Sequence, residues 1–221
     1  MKKIYLPAYF DAALLKPNVT PKEIEEFCKK CIKYDVYAVD INPCYVKFAK
    51  DILKNSNVKI VSVVGFPLGA NKTETKVFEA KQAIKDGADE LDIVMNIGQF
   101  KAKNYKYVKN ELSEIINVSK EKPVKIIIET GYLTKEEIIK ACELVKSSGA
   151  TFIKDCSGWG PTGADPKIVS LIRKAVGPDF GIKSAGRVRT LKQTLDLIKA
   201  GANRIGSSAA FQIIDEWKKN E

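Results

Sequence analysis

Eight short apolar runs alternate with longer helix-patterned segments along almost the whole chain. The candidate strands are Tyr9–Ala13, Tyr37–Ile41, Lys59–Val64, Glu90–Met95, Lys125–Glu129, Thr151–Asp155, Gly181–Ser184 and Asn203–Ser207. Between them lie helical patterns over Pro21–Tyr34, Val46–Lys54, Thr73–Asp86, Tyr107–Lys120, Thr134–Ser147, Pro166–Val176 and Leu191–Ala200. Thr20 before Pro21 and Thr134 before Glu136-Glu137 have the chemistry of helix N-caps, because a hydroxyl there accepts from an otherwise unpaired backbone N–H. Asp86-Gly87-Ala88, Ser148-Gly149-Ala150 and Ala200-Gly201-Ala202 supply the glycine stops that feed the next strand. Strand-helix alternation demands parallel pairing, since each helix returns the chain to the same end of the sheet. Eight such units predict an α/β fold, a single (β/α)8 TIM barrel over residues 1–221, with lean loops and no linker. The last segment, Phe211–Lys219, is expected to cap or cover one end.

Composition narrows the function classes. No apolar run reaches the roughly 20 residues of a membrane span. The start, Met1-Lys2-Lys3 before Ile4-Tyr5-Leu6-Pro7, is too short for a signal peptide, so a cytoplasmic location is expected. The net charge of +10 comes from lysines scattered along the helices, with only four arginines, and reads as a solvated surface. No nucleic-acid motif accompanies it, although a basic site for an anionic metabolite is compatible with it. Five cysteines, Cys28, Cys31, Cys44, Cys142 and Cys156, make an odd count that argues against a disulfide framework. The pair Cys28-Lys-Lys-Cys31 sits inside a helical pattern and has no second pair or histidine to complete a zinc site. The chain contains no histidine, so acid-base work falls to Asp, Glu, Lys, Tyr, Cys or water. No metal or organic cofactor is expected.

Two lysines carry the chemical signal. Lys154 in T-F-I-K-D-C-S and Lys183 in F-G-I-K-S-A-G each stand late in an apolar strand, just before a glycine-containing loop. In barrels of this class the site lies at the C-terminal ends of the strands, so both face the mouth. A buried, unpaired ammonium tends to lose its proton, and a neutral lysine attacks carbonyl carbon. Asp92, in E-L-D-I-V-M-N, joins them as a buried acid. Lys59 and Lys125 open their strands instead and are expected to reach solvent at the other end of the barrel. Three glycine loops follow the last strands: Gly158-Trp159-Gly160-Pro161-Thr162-Gly163, Gly186-Arg187 and Gly206-Ser207-Ser208. Their backbone N–H groups have the makings of a phosphate cradle.

Taken in order, D-A-A-L-L-K-P at 11–17, V-S-V-V-G-F-P-L-G at 61–69, E-L-D-I-V-M-N-I-G at 90–98, E-T-G-Y-L-T at 129–134, F-I-K-D-C-S-G-W-G at 152–160, G-I-K-S-A-G-R-V-R-T at 181–190 and R-I-G-S-S at 204–208 resemble the deoxyribose-phosphate aldolase family of class I aldolases. The resemblance implies a lyase acting on a small phosphorylated sugar, often self-associated; with no nucleic-acid motif and no membrane span, no nucleic-acid or membrane partner is expected. The resemblance makes Lys154 the Schiff-base lysine, Lys183 the second lysine that activates it, and Asp92 the acid-base partner working through a water. Gly158, Gly186, Gly206, Ser207 and Ser208 would lie at the phosphate.

The departures from the family pattern cluster at strand ends. Asp11-Ala12-Ala13 stands where the family usually has Asp-His-Thr, and Asp40 where it usually has cysteine. Asp155-Cys156-Ser157 replaces threonine-serine-threonine, Arg187 replaces a second glycine, and Ala209 replaces a serine. Arg187 would bind phosphate through its guanidinium fork, while Asp11, Asp40 and Asp155 would contact the substrate. Asp155 has a second expected role, pairing with Lys154 or Lys183 and holding it charged. The resemblance implies reversible cleavage of 2-deoxy-D-ribose 5-phosphate to acetaldehyde and D-glyceraldehyde 3-phosphate. Two alternatives stay open at this point: a Schiff-base aldolase or lyase with a different phosphorylated substrate, and a non-catalytic phosphate-binding protein on the same scaffold.

Overall fold

The structure, a computed structural model, describes residues 4–119 and 122–220. Eight parallel strands close in sequence order into a barrel: β1 (Phe10–Leu14), β2 (Ala38–Ile41), β3 (Lys59–Val64), β4 (Glu90–Val94), β5 (Val124–Ile127), β6 (Phe152–Lys154), β7 (Gly181–Ala185) and β8 (Arg204–Ser207). The seam closes where Phe10, Asp11 and Ala12 pair with Ile205, Gly206 and Ser207.

Around them run α1 (Pro21–Tyr34), α2 (Val46–Leu53), α3 (Thr73–Asp86), α4 (Ile97–Lys101), α5 (Tyr105–Val118), α6 (Lys135–Ser148), α7 (Pro166–Val176), α8 (Leu191–Lys199) and α9 (Ala210–Lys219). The expected caps are the observed ones. Thr20 and Thr134 form reciprocal capping boxes with Glu23 and Glu137, and Gly87 and Gly149 end α3 and α6 at positive φ. α4 is additional: five residues are too few for periodicity to reveal. The expected end of the fifth helix at Lys120 falls outside the described residues. α9 does not cover an end as expected. It packs beside β1, α1 and α8, and so closes the ring of helices.

The core between barrel and helices is conventional, with Ile24, Cys28, Val39, Ile60, Leu91, Ile126, Ile153, Ile172, Ile182 and Ile213 all buried. The lysines are less uniformly exposed than their scatter suggests. Lys76 of α3 is fully buried, where its Nζ donates to Val94 O at 2.9 Å and pairs with Glu111 of α5 at 2.8 Å. Glu111 also accepts from Asn96 N. This pair ties two helices to the C-terminal end of β4, where site residues are carried. Among the described residues, no helix is long and apolar enough to cross a membrane.

Candidate active site

Strand register decides which residues meet inside the barrel. Lys154 pairs with Lys183, and Asp92 with Lys125, at adjacent strands. Side chains alternate across each strand, so residues in register share a face. The interior of the barrel therefore holds a cluster of charged residues beside apolar ones such as Val61, Val63 and Ile127. Asp11, Asp40, Glu90, Asp92, Lys125, Lys154, Lys183 and Arg204 all project from strands and are buried.

Asp92 is the hub. Its Oδ2 accepts from Lys154 Nζ at 2.6 Å and from Lys183 Nζ at 2.7 Å, and its Oδ1 accepts from Lys125 Nζ at 3.0 Å. Burial alone would raise this carboxyl. Lys125, Lys154 and Lys183 outweigh it and hold Asp92 well below the ordinary carboxylate range. Lys183 is just as saturated, at 2.7 Å from Asp11, 2.8 Å from Asp40 and 2.7 Å from Asp92. Burial would lower its affinity for a proton, but Asp11, Asp40 and Asp92 prevail and keep the ammonium well above its usual range. The expectation of unpaired lysines is therefore corrected: both sit among carboxylates, and Lys183 is a fixed cation.

Lys125 is the larger correction. It does not reach solvent. It is fully buried, 2.6 Å from Glu90, 3.0 Å from Asp92 and 3.7 Å from Asp11, because its side chain faces inward from β5. Burial opposes its charge, but the attraction of Asp92 and Asp11 prevails and holds it above the ordinary lysine value. Lys59 is exposed as expected. Arg204 of β8 pairs with Asp11 at 3.3 Å and stacks 3.2 Å from the centre of the Tyr37 ring. The sequence did carry a signal for these residues: Glu90 and Asp92 are two apart in one strand and therefore share a face.

Above this cluster opens a cavity of about 190 Å³, lined by Asp40, Lys154, Gly158, Gly186, Arg187, Gly206, Ser207 and Ser208 among others. Eight of the expected site residues thus meet at one mouth. Ser157 and Trp159, from the strand-end departures and the glycine loop, line it too, as do Lys16 and Arg189, which were not singled out from sequence. Lys16, Arg187 and Arg189 make the rim cationic. Arg187 adopts φ 59°, a left-handed conformation that costs a non-glycine residue energy, and its Nη2 donates to Gly160 O at 3.3 Å. That conformation explains why glycine suits this position.

Four expected site residues do not line the cavity: Lys183, Asp92, Asp11 and Asp155. The first three lie in the charge cluster that supports Lys154. Asp155 is elsewhere. It is buried and accepts from Ser184 Oγ, Ala185 N at 2.8 Å and Cys156 N at 2.6 Å. The expected pairing with a lysine gives way to a bridge between the ends of β6 and β7, because Asp155 follows an inward-facing residue and so faces out. Burial pushes its carboxyl up to about 6, against the hydrogen bonds from Ser184, Ala185 and Cys156.

The glycines and serines divide their roles. Gly206 makes room for the lysine: a Cβ there would stand 2.8 Å from Ala185 Cβ and 3.1 Å from Lys183 Cε. Ser207 Oγ donates to Val188 O at 2.7 Å and accepts from Ala209 N, so it shapes the loop. Ser208 is exposed at the rim.

A cationic pocket above a lysine-carboxylate cluster suits imine chemistry on an anionic carbonyl compound, and comparison with known proteins gives the same class. Residues 8–209 match the model of the DeoC/LacD family aldolases. The chain belongs to that family. This aldolase is 52% identical over 219 residues to deoxyribose-phosphate aldolase of Thermococcus kodakarensis, covering 97% of this chain and 98% of that one. It is 50% identical to the enzyme of the same name from Thermoanaerobacter sp., covering 95% of each. Among solved structures, QR15, an aldolase, superposes with a TM-score of 0.95 at 43% identity, covering 99% of this chain and 98% of that one. A structure described as a unique tetrameric deoxyribose phosphate aldolase from Aeropyrum pernix has a TM-score of 0.91 at 26% identity, covering 98% and 92%. The resemblance read from the motifs therefore holds over the length of the aldolase, as does the (β/α)8 barrel.

Proposed function

We propose that this single-domain aldolase cleaves 2-deoxy-D-ribose 5-phosphate reversibly to acetaldehyde and D-glyceraldehyde 3-phosphate through a Schiff base on Lys154. The observation that carries the reading is the placement of Lys154. It lines the cavity at a strand end while its Nζ rests 2.6 Å from the same Asp92 oxygen that Lys183 occupies.

Unprotonated Lys154 attacks C1 of the open-chain sugar, and loss of water leaves an iminium. Removal of the C3 hydroxyl proton, by a water in the cavity beside Lys154, makes C3 a carbonyl. The C2–C3 bond breaks, and its electron pair moves onto C2 as the iminium becomes an enamine. The three-carbon fragment leaves as glyceraldehyde 3-phosphate. Protonation at C2 and hydrolysis of the imine release the two-carbon acetaldehyde and restore Lys154. Lys183, held charged by Asp11, Asp40 and Asp92, contributes its field. Arg187, Lys16, Arg189 and the loop N–H groups at Gly158, Gly186 and Ser208 would hold the phosphate.

Borohydride reduction followed by mass spectrometry tests this. A substrate-dependent adduct on Lys154 with 2-deoxyribose 5-phosphate, lost in Lys154→Ala, is the expected result. An adduct with other phosphorylated sugars but not this one supports the second reading, a different phosphorylated substrate. Asp40 and Arg187 in the cavity wall favour that reading. The aldolase is further proposed to act in the cytoplasm and as a homo-oligomer. Size-exclusion chromatography with light scattering tests the latter.

A further inference from the structure

We propose that Asp40 is a further catalytic residue of this aldolase, the acid that protonates the carbinolamine hydroxyl on the Lys154 adduct and takes the proton back when the imine is hydrolysed. The inference rests on the Schiff-base reading above. It starts from an asymmetry between the two carboxyls nearest Lys154.

Asp92 is committed to the cluster, with both of its oxygens engaged. Its oxygens receive three lysines, and it does not line the cavity. Asp40 does line the cavity, while being only 1% exposed. Its Oδ2 accepts from Lys183 at 2.8 Å and lies 3.6 Å from Lys154 Nζ. Its Oδ1 is buried and has no hydrogen-bond partner among the described residues. A buried carboxylate oxygen without a donor is costly, whereas a carboxylic O–H on that atom can serve an entering substrate.

Charge accounting agrees. The interior cluster holds four acids, Asp11, Asp40, Glu90 and Asp92, against four bases, Lys125, Lys154, Lys183 and Arg204. If Lys154 is the free amine, one acid must keep its proton for the cluster to stay neutral. The charged groups facing Asp40 are Asp92 from β4, Lys154 from β6 and Lys183 from β7, with Asp11 of β1 sharing Lys183. Its β3 register partner is Val61, which has nothing to titrate. Burial first, then Lys183 against it and the like charge of Asp92 with it, leave Asp40 above its ordinary value, while Asp92 falls below.

The step balances. Lys154 nitrogen adds to C1, and the proton it sheds moves to the new C1 oxygen. The proton of Asp40 passes to the resulting hydroxyl, the C1–O bond breaks, and water departs with the bonding pair. The nitrogen lone pair completes the C1–N double bond. The cluster remains neutral, because the new iminium cation faces a newly formed Asp40 carboxylate. Hydrolysis runs this in reverse and returns the proton to Asp40.

The test is rapid-quench borohydride trapping with 2-deoxyribose 5-phosphate on wild type, Asp40→Asn and Asp40→Cys, over a range of pH. Asparagine preserves shape without an acidic proton, and cysteine is the residue usual in this family at that position, so a folded second variant is at hand. The expected result is imine formation slowed about 100-fold in both variants, with the same trapped fraction at long times. The wild-type rate has an alkaline limb that Asp40→Asn lacks and that Asp40→Cys shifts to the higher pH of a thiol. Wild-type rates and an unchanged pH profile in both variants would overturn the proposal. So would loss of the trapped fraction itself, which would make Asp40 only a support for Lys154. No trapping in wild type would instead remove the Schiff-base reading on which the proposal stands.

Discussion

Replacing Lys125 with methionine keeps the volume of the side chain and removes one positive charge from a fully buried site. Each carboxylate 3 Å away then loses about 5 kcal/mol of direct attraction at an effective dielectric of about 20. The desolvation that the ammonium no longer suffers offsets part of this. The three carboxylates are not equally exposed to the loss. Asp92 retains Lys154 and Lys183, and Asp11 retains Lys183 and Arg204. Glu90 is left with the Tyr37 hydroxyl at 2.7 Å. One uncompensated buried charge is the net result, which costs about 3–5 kcal/mol. Urea unfolding at about pH 7.5 should show a deficit of that size. The sign of its pH dependence is fixed by Asp92. Its depressed carboxyl contributes stability that is present above its ordinary value of 3.8 and is lost as pH falls toward its folded-state value. Lys125→Met forgoes part of that contribution, so the gap between the two proteins should narrow below about pH 4. Lys125 itself stays charged throughout, since its contribution disappears only above the ordinary lysine value of 10.5. Adding Glu90→Gln to Lys125→Met should recover part of the loss. A deficit under about 1 kcal/mol, or one that Glu90→Gln deepens, would refute the description of Lys125 as the counter-charge of the cluster.

Three other changes probe the mouth. Gly206→Ala places a methyl 3.1 Å from Lys183 Cε and 2.8 Å from Ala185 Cβ, and should destabilise by about 1–3 kcal/mol while lowering kcat more than it alters KM. Arg187→Ala should raise KM for a phosphorylated sugar about 10- to 100-fold and leave turnover of the unphosphorylated sugar unchanged in steady-state assays. Asp155 has a folded-state value of about 6 against an ordinary 3.8, so its contribution to stability falls as pH rises through that window. Asp155→Asn should flatten that part of the stability profile, as followed by urea midpoints.

The architecture was legible because each of its devices is local. Capping boxes at Thr20 and Thr134 and glycine stops at 87 and 149 depend on residues a few positions apart. Lys154 and Asp40 could be placed at the mouth because they stand late in their strands. What escaped was everything that depends on how deep a charged residue lies, and on which face, at either end of a strand. Lys125 and Lys59 occupy similar positions in the sequence, yet one is fully buried and the other exposed. Only the register, Lys125 against Asp92, distinguishes them. Asp155 was misplaced for the same reason, since one step along β6 from Lys154 reverses the side chain. The rim residues Lys16 and Arg189 come from loops, where no periodicity points to a destination.

Gly158 and Gly186 touch across the mouth: a Cβ built on Gly186 would be 3.3 Å from Gly158 Cα, and Ala164 N donates to Gly186 O at 2.9 Å. The loops after β6 and β7 are thus clasped along their backbones, with Asp155 fastening the strand ends beneath. One side of the entrance is a fixed jaw. Adjustment to substrates of different length then falls to the loop at Leu15–Lys16, where Lys16 O accepts long bonds of 3.4 Å from Asn42 Nδ2 and Val19 N, and to the exposed Ser208. Variation aimed at new acceptor aldehydes should therefore be introduced there, leaving the glycine clasp and the lysine it frames intact.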